Sequence, residues 1–336
     1  MPRPVTQKLI QLEASLTERL TSGNWQPGER FTSARELSAE AEIAYQTAHR
    51  LLARLCEAGL LVRHKGSGTY LPGGEQTLLG VDLFFDVRAR RLDSFGARLL
   101  ASLGKRLKLQ NIPWRLRWSN ETPLPEPSYF PVVWQSPDAL AKCVSTRLPA
   151  LLINERPTPG LEAMRIDSVS IDDFFGGVCA AQLLLEGVDR KGITGRGKKE
   201  FCIFAGPTHD PRSASRRDGF LSVIGEATVV TSAGWFLEDG RKVASDALER
   251  GKDGIFCAND RLAEAILQYC AAIKATCPPL IGFDVAPIAE ALNLTTIAIP
   301  WNEFIADIAG VILQRINGDT SAARQRILTP YPVIRG

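Results

Sequence analysis

Beyond Gly80 the chain alternates short apolar runs with amphipathic stretches of helical period, and that rhythm leaves few folds open. The runs at 80–85, 115–118, 131–134, 150–153, 201–204, 254–257 and 280–283 read as strands; the stretches at 92–109, 174–186, 216–223 and 260–272 read as helices. Strands this continuously apolar are covered on both faces, so the pattern predicts parallel sheets with helices on either side. The span 79–336 is long for one doubly wound lobe and suits two, with a ligand cleft between them.

The first part of the chain obeys different rules. Leu9, Leu12, Leu16 and Leu20 recur at helical spacing over 7–22, and Gly23 stops the helix. Residues 24–28 read as a turn, after which Thr32 or Ser33 caps a second helix and Glu36 stands where it closes a capping box. That helix runs to about Ala41. A third, over 45–58, turns Ala48, Leu51, Leu52 and Leu55 inward and leaves Gln46, His49, Arg50, Ala53 and Arg54 outside, before Gly59 ends it. A strand at 60–63, a tip at 64–68 and a return at 69–71 complete a hairpin. Three helices and a hairpin predict a winged helix-turn-helix over 1–72, a polar glycine-containing linker over 73–78, and the two-lobed α/β body over 79–336.

Composition removes several alternatives. Met1, Pro2 and Arg3 lead into charged residues with no apolar signal region, and no segment approaches the roughly 20 apolar residues that span a bilayer, so a cytoplasmic protein with no membrane role is expected. Seven cysteines without a paired spacing and three histidines encode neither a disulfide framework nor a metal site, and no cofactor is implied. The near-match to a phosphate loop at 192–199 fails, because Lys199 replaces the Ser or Thr that holds magnesium and the segment leads into a strand. Gly66-Ser67-Gly68 opens no helix, so it is no dinucleotide fingerprint. Net charge is only +3, and residues 1–74 hold nine Lys and Arg against seven Asp and Glu, so any case for DNA rests on where charges sit.

A recognition helix offers its first turns to the major groove, which selects Tyr45, Gln46, His49 and Arg50 for base edges; Gln suits adenine and Arg suits guanine. Ser33, Arg35 and Thr47 are placed for phosphates, and the wing residues His64, Lys65, Gly66, Ser67 and Gly68 approach the backbone. The same side chains could form a merely solvated face; the order of helices and basic hairpin argues against it. The stretch Gly23-Asn24-Trp25-Gln26-Pro27-Gly28 through Ser33-Ala34-Arg35-Glu36-Leu37, with 50–61 and 66–71, resembles the DNA-binding domain of the GntR family. It departs where that family often has Val-Ser-Arg, since Ile43, Ala44 and Tyr45 stand there.

The body resembles the effector domain of LacI/GalR repressors, itself similar to periplasmic sugar-binding proteins. The resemblance is carried by 148–154, 170–177, Arg216-Arg217-Asp218-Gly219-Phe220, 256–263, Ile281-Gly282-Phe283-Asp284 and 294–297. It implies that Arg216, Asn259 and Asp284 line a sugar cleft, where amides, carboxylates and a guanidinium bind paired hydroxyls. Asp172, Asp86 and Trp301, the last as an aromatic wall, complete the candidate set. Structural roles stay open: Asp260 can cap its helix, Arg216 can pair with Asp218 or Asp210, and Trp301 can be core. The expectation is a homodimeric repressor without enzymatic activity, released from double-stranded operator DNA by a carbohydrate effector. On that view Arg216→Ala and Asp284→Ala keep the fold and lose only the ligand response. The alternative is a doubly wound enzyme with an accessory DNA-binding head, for which no Schiff-base lysine setting is recognisable.

Overall fold

The structure is a computed structural model and describes residues 7–21, 25, 29–58, 60–64, 68–71, 78–121, 124–158, 160, 165–190 and 199–335. The head comprises α1 (Gln7–Thr21), α2 (Ala34–Glu40), α3 (Tyr45–Glu57), β1 (Val62–His64) and β2 (Gly68–Tyr70). Leu16, Phe31, Leu37, Ala48, Leu51, Leu52, Leu55 and Leu61 form its core. The capping box forms: the Glu36 amide donates to Ser33 Oγ at 3.1 Å and the Ser33 amide to Glu36 Oε2 at 2.7 Å. α3 opens on Ala44 with no side-chain cap. β1 and β2 pair antiparallel, Val62 opposite Tyr70. The first wing strand starts two residues later than its apolar pattern suggests, because the Leu60 amide closes the end of α3 on Leu55 O at 3.0 Å and Leu61 is taken into the core.

The body divides into two lobes. The first contains β3 (Gly80–Phe85), α4 (Phe95–Leu109), β4 (Trp114–Trp118), β5 (Tyr129–Trp134), α5 (Pro137–Thr146), β6 (Ala150–Ile153) and β7 (Ile166–Ile171). The second contains α6 (Asp173–Arg190), β8 (Phe201–Ala205), α7 (Pro211–Ile224), β9 (Thr228–Thr231), α8 (Leu237–Arg241), α9 (Ala244–Arg250), β10 (Gly254–Cys257), α10 (Asp260–Ala272), β11 (Leu280–Phe283), α11 (Pro287–Ala291) and β12 (Thr296–Ala298). The chain then returns: α12 (Trp301–Ile316) packs on α4 and the first sheet, β13 (Gln325–Leu328) joins that sheet, and β14 (Tyr331–Val333) joins the second. Three passages therefore connect the lobes, at Asp172, at Ile299-Pro300 and at Thr329-Pro330.

Among the described residues each sheet of the body has six strands, ordered β13-β7-β6-β5-β3-β4 in the first lobe and β14-β12-β11-β10-β8-β9 in the second. All neighbours run parallel except β14 on β12. This is the mixed α/β class with parallel sheets that the strand pattern predicts. The expected linker falls, apart from Leu78, on residues outside those described, as does the glycine-rich segment at 192–198. Among the described residues no helix is long and apolar enough to cross a membrane.

The chain's finer choices follow local chemistry. The helix expected from residue 92 begins at Phe95, where Ser94 Oγ accepts from the Ala97 amide at 3.0 Å. The helix expected at 216–223 begins at Pro211, with Asp210 capping it and a proline whose missing N–H loses nothing in a first turn. Helices α6 and α7 lie against each other at a separation only glycine allows: a Cβ on Gly219 would stand 1.9 Å from Phe174 O, and one on Gly177 2.1 Å from Arg216 O. That close approach brings Asp173 and Arg216 side by side.

Candidate functional site

The two sheets point the carboxyl ends of their strands at a common crevice, the place where open α/β sheets bind ligands. It holds a cavity, open to solvent, whose empty space including the mouth is about 560 Å³. The first lobe contributes Arg88, Ser94, Phe95, Trp134, Gln135 and Asn154; the second contributes Arg212, Arg216, Trp235, Phe236, Asn259, Arg261 and Asp284. Gln135, Asn154 and Asp284 each follow directly on the last residue of a strand, and each has a left-handed backbone, with φ of +52°, +55° and +93°. Such a conformation in a non-glycine residue is sparsely populated and turns the side chain out of the pleat, here into the crevice. Trp134 Nε1, Gln135 Oε1, Asn154 Oδ1 and Asp284 Oδ1 are buried and find no hydrogen-bond partner within the protein. A buried polar atom left unpaired is costly, so four around one cavity give it a wall that calls for polar partners.

The second-lobe wall is a chain of ion pairs. Arg216 donates from Nε to Asp173 Oδ1 at 2.8 Å and from Nη1 to Ala258 O at 2.6 Å, with its guanidinium 3.6 Å from the Phe283 ring centre. Burial raises the Asp173 carboxyl and Arg216 opposes that rise. Arg212 grips both oxygens of Asp210, at 2.9 and 2.5 Å, and Trp235 Nε1 donates to the same carboxylate at 2.9 Å. Burial pulls Asp210 upward, but these donors outweigh it and hold the group well below the usual carboxylate range. Asn259 caps α10, accepting from the Leu262 amide and donating to Trp235 O, both at 2.8 Å. Arg261 Nη1 lies 3.5 Å from Asp284 Oδ2. Behind it, Asp260 is wholly buried and accepts from the Ala286 amide at 2.6 Å and Thr296 Oγ1 at 2.7 Å. Burial first, and the nearby Asp284 carboxylate second, push Asp260 well above its ordinary range.

Of the residues singled out from sequence, Arg216, Asn259 and Asp284 stand in the cavity wall. Asp86, Asp172 and Trp301 do not line it. Asp86 caps the 3-10 turn Val87–Arg90 and pairs with Arg88 at 2.8 Å, so it orients a lining residue. Asp172 sits at the first passage between lobes, accepting from the Phe175 amide at 3.2 Å and lying 3.4 Å from Arg156. Trp301 packs on Phe95 with ring centres 4.9 Å apart and stands one layer behind the cavity. The partner of Arg216 is Asp173, not Asp210 or Asp218. Sequence reasoning missed Arg212, Trp235, Phe236, Arg261, Gln135 and Asn154. Arg212 and Arg216 share one helix face at a spacing of four, and Gln135 and Asn154 follow apolar runs as polar residues, which is the signal that was available.

On the head, Arg35, Tyr45, Gln46, His49 and Arg50 are exposed, whereas Ser33 and Thr47 are half-buried. Ser33 is the α2 cap. Arg50 Nε lies 3.4 Å from Gln46 O, and Arg63 Nη1 is 2.9 Å from His49 Nε2, tying the recognition helix to the wing. Gly68 opens β2 with φ of +135°, a value that suits glycine. Lys65, Gly66 and Ser67, and the side chain of His64, lie outside the described residues.

Comparison with known proteins agrees with this architecture. Residues 10–71 match the family of bacterial regulatory proteins, gntR family, and residues 192–336 match the periplasmic binding protein-like domain. The sucrose operon repressor of Lactococcus lactis subsp. lactis is 29% identical over 161 residues, covering 45% of this chain and 47% of that protein. The histidine utilization repressor of Klebsiella aerogenes is 37% identical over 82 residues, covering 24% of this chain and 33% of that protein. The matched regions thus span about half or less of these relatives' lengths. Among solved structures, a LacI family transcriptional regulator from Enterococcus faecalis V583 with bound ribose superposes with a TM-score of 0.62 at 20% identity, over 76% of this chain and 97% of that one. The chain therefore carries a gntR-family helix-turn-helix domain at its N-terminus and a periplasmic-binding-protein-like domain, with the fold of LacI-family regulators, in its body.

Proposed function

We propose that this protein is a DNA-binding transcriptional repressor whose affinity for its operator is set by a small polyhydroxylated ligand, of the carbohydrate class, held between the two lobes. In this reading it is a binder and carries out no reaction. The observation that carries it is the set of buried, unpartnered polar atoms on both walls of one cavity, at the strand ends of two sheets. Hydroxyl groups both donate and accept, so a sugar satisfies Trp134 Nε1 and the oxygens of Gln135 and Asn154 alike, while Trp235 and Phe236 cover its apolar face. Closure around such a ligand changes the relation between the lobes, and DNA affinity responds reciprocally. The sucrose operon and histidine utilization repressors named above support the regulatory sense.

The head binds duplex DNA through Gln46, His49 and Arg50 at base edges and Arg35 at phosphate, as one half of a homodimer acting in the cytoplasm; a single winged head offers a small interface and needs a twin for specificity. The test is fluorescence anisotropy of the full chain on duplexes selected from random DNA, with and without sugars that raise its melting temperature. Gln46→Ala and Arg50→Ala are expected to relax base preference by about 1–3 kcal/mol per contact, and Arg35→Ala to weaken all sequences. Failure to select any duplex at low salt, or a sedimentation run showing a monomer on DNA, would sink this reading.

A further inference from the structure

Four arginines, Arg88, Arg212, Arg216 and Arg261, line the cavity, and such a wall invites a phosphate or a carboxylate. Their partners say otherwise. Each guanidinium already faces its own carboxylate: Arg212 faces Asp210 at 2.5 Å, Arg216 faces Asp173 at 2.7 Å, Arg88 faces Asp86 at 2.8 Å, and Arg261 faces Asp284 at 3.5 Å, with Asp93 a further 3.8 Å contact. Each of these four lining cations has a carboxylate beside it, so none of them stands bare, and their guanidiniums keep N–H donors to spare. The unpartnered atoms point the same way. Of the buried atoms without a partner at the cavity, Gln135 Oε1, Asn154 Oδ1 and Asp284 Oδ1 accept and Trp134 Nε1 donates. Acceptors ask for hydroxyl donors, and at the position of a phosphate dianion or carboxylate group a sugar derivative has none to give. The Asp284 carboxyl lies directly at the surface an anion would have to approach.

Resting on the effector reading above, we infer that the cavity selects an uncharged polyol and rejects phosphorylated or acidic forms of the same sugar, the four arginine–aspartate pairs being the specificity determinants. Placing an anion against a lining whose four arginines already face carboxylates forfeits its hydration without an unpaired cation in that lining to repay it. The arginines serve as fixed donors to hydroxyls, held in orientation by the aspartates behind them.

The test uses the full-length protein and two sets of probes, followed by thermal shift and calorimetric titration at constant ionic strength. The first set pairs neutral sugars with their charged counterparts: glucose with its phosphate ester and with gluconate, ribose with its phosphate ester, and sucrose with its phosphate ester. The neutral member of whichever pair binds is expected to bind at least about tenfold more tightly than the charged one. Equal or tighter binding of the charged member overturns the inference. The second set is inorganic phosphate against chloride, which requires no knowledge of the sugar. Phosphate is expected to give no saturable rise in melting temperature beyond chloride; a saturable rise that competes with a bound sugar, or that Arg261→Ala removes, overturns the inference. Binding of no sugar at all counts against the effector reading itself, while the phosphate arm still decides the question of charge. Asp284→Asn, which removes the nearer of the two carboxylates facing Arg261, is expected to narrow the gap between neutral and charged members by about tenfold, and Asp86→Asn, at a half-buried site beside Arg88, provides the same readout if the first variant fails to fold. An unchanged gap in both would show that the pairs do not set the selectivity.

Discussion

The guanidinium of Arg91, on the first lobe, lies 3.5 Å from the ring centre of Phe236 on the second and pairs there with Glu238. Phe236 is a cavity wall, so this contact joins the lobes at the mouth of the site. The hydrogen bond to Glu238 raises Arg91, and Arg91 holds Glu238 below its ordinary range. Arg91→Ala is therefore expected to weaken ligand binding roughly two- to fivefold, chiefly through faster dissociation, with the wild-type advantage shrinking as salt rises. Because the Glu238 carboxyl is depressed, the pair persists from neutral pH down to below the ordinary carboxylate value and is lost only as pH falls further. Stopped-flow dissociation measured against salt and pH checks this; equal rates for variant and wild type would show that the Arg91 contact does not slow ligand release.

Arg216→Ala was expected from sequence to leave the fold intact and to silence only the ligand response. The Asp173 pairing corrects that expectation. Removing the guanidinium strands a buried carboxylate and an unpaired Ala258 carbonyl, which destabilises by about 3–5 kcal/mol on the usual scale for breaking a buried ion pair. Burial already raises Asp173, and losing Arg216 raises it further, so the variant should regain stability as pH falls through that raised value and the carboxyl becomes neutral. Chemical denaturation of the variant across neutral to mildly acid pH is the measurement. A loss independent of pH would contradict the assignment.

Asp260 carries a second acid dependence. Its raised carboxyl favours the folded state when protonated, so that stabilisation is complete below the ordinary value of 3.8 and is lost as pH rises through the folded value. Asp260→Asn keeps an acceptor and removes the charge. Its melting temperature is expected to fall less than that of the wild type as pH is raised from mildly acid to mildly alkaline, which scanning calorimetry resolves. Parallel curves would mean that Asp260 is not the group responsible.

Helix α3 begins on Ala44, whose side chain cannot accept from the orphan amides of the first turn. Ala44→Ser supplies that acceptor and is expected to stabilise the head by about 1 kcal/mol. Local hydrogen exchange in α3 reads this directly, and slower exchange over 46–48 is the expected result.

The sequence by itself determined the elements and their class. The capping box at Ser33 and Glu36, the apolar face of α3, and the strands at 80–85, 150–153, 254–257 and 280–283 were legible because backbone propensity, capping and burial period are encoded within a few neighbouring residues. Short pieces such as α8, α9, α11, β13 and β14 were not, since tertiary contacts rather than period define them. Arg216, Asn259 and Asp284 could be named from motif, but their partners could not. Only the tertiary structure decided that Arg216 meets Asp173, 43 positions away across the Gly177–Gly219 contact, that Asp86 and Trp301 stand behind the wall, and that Gln135 and Asn154 turn into it. The physical reason is range: a helix cap is settled over a few residues, whereas the wall of a cleft is settled by which strand ends two independently wound sheets bring to the same crevice.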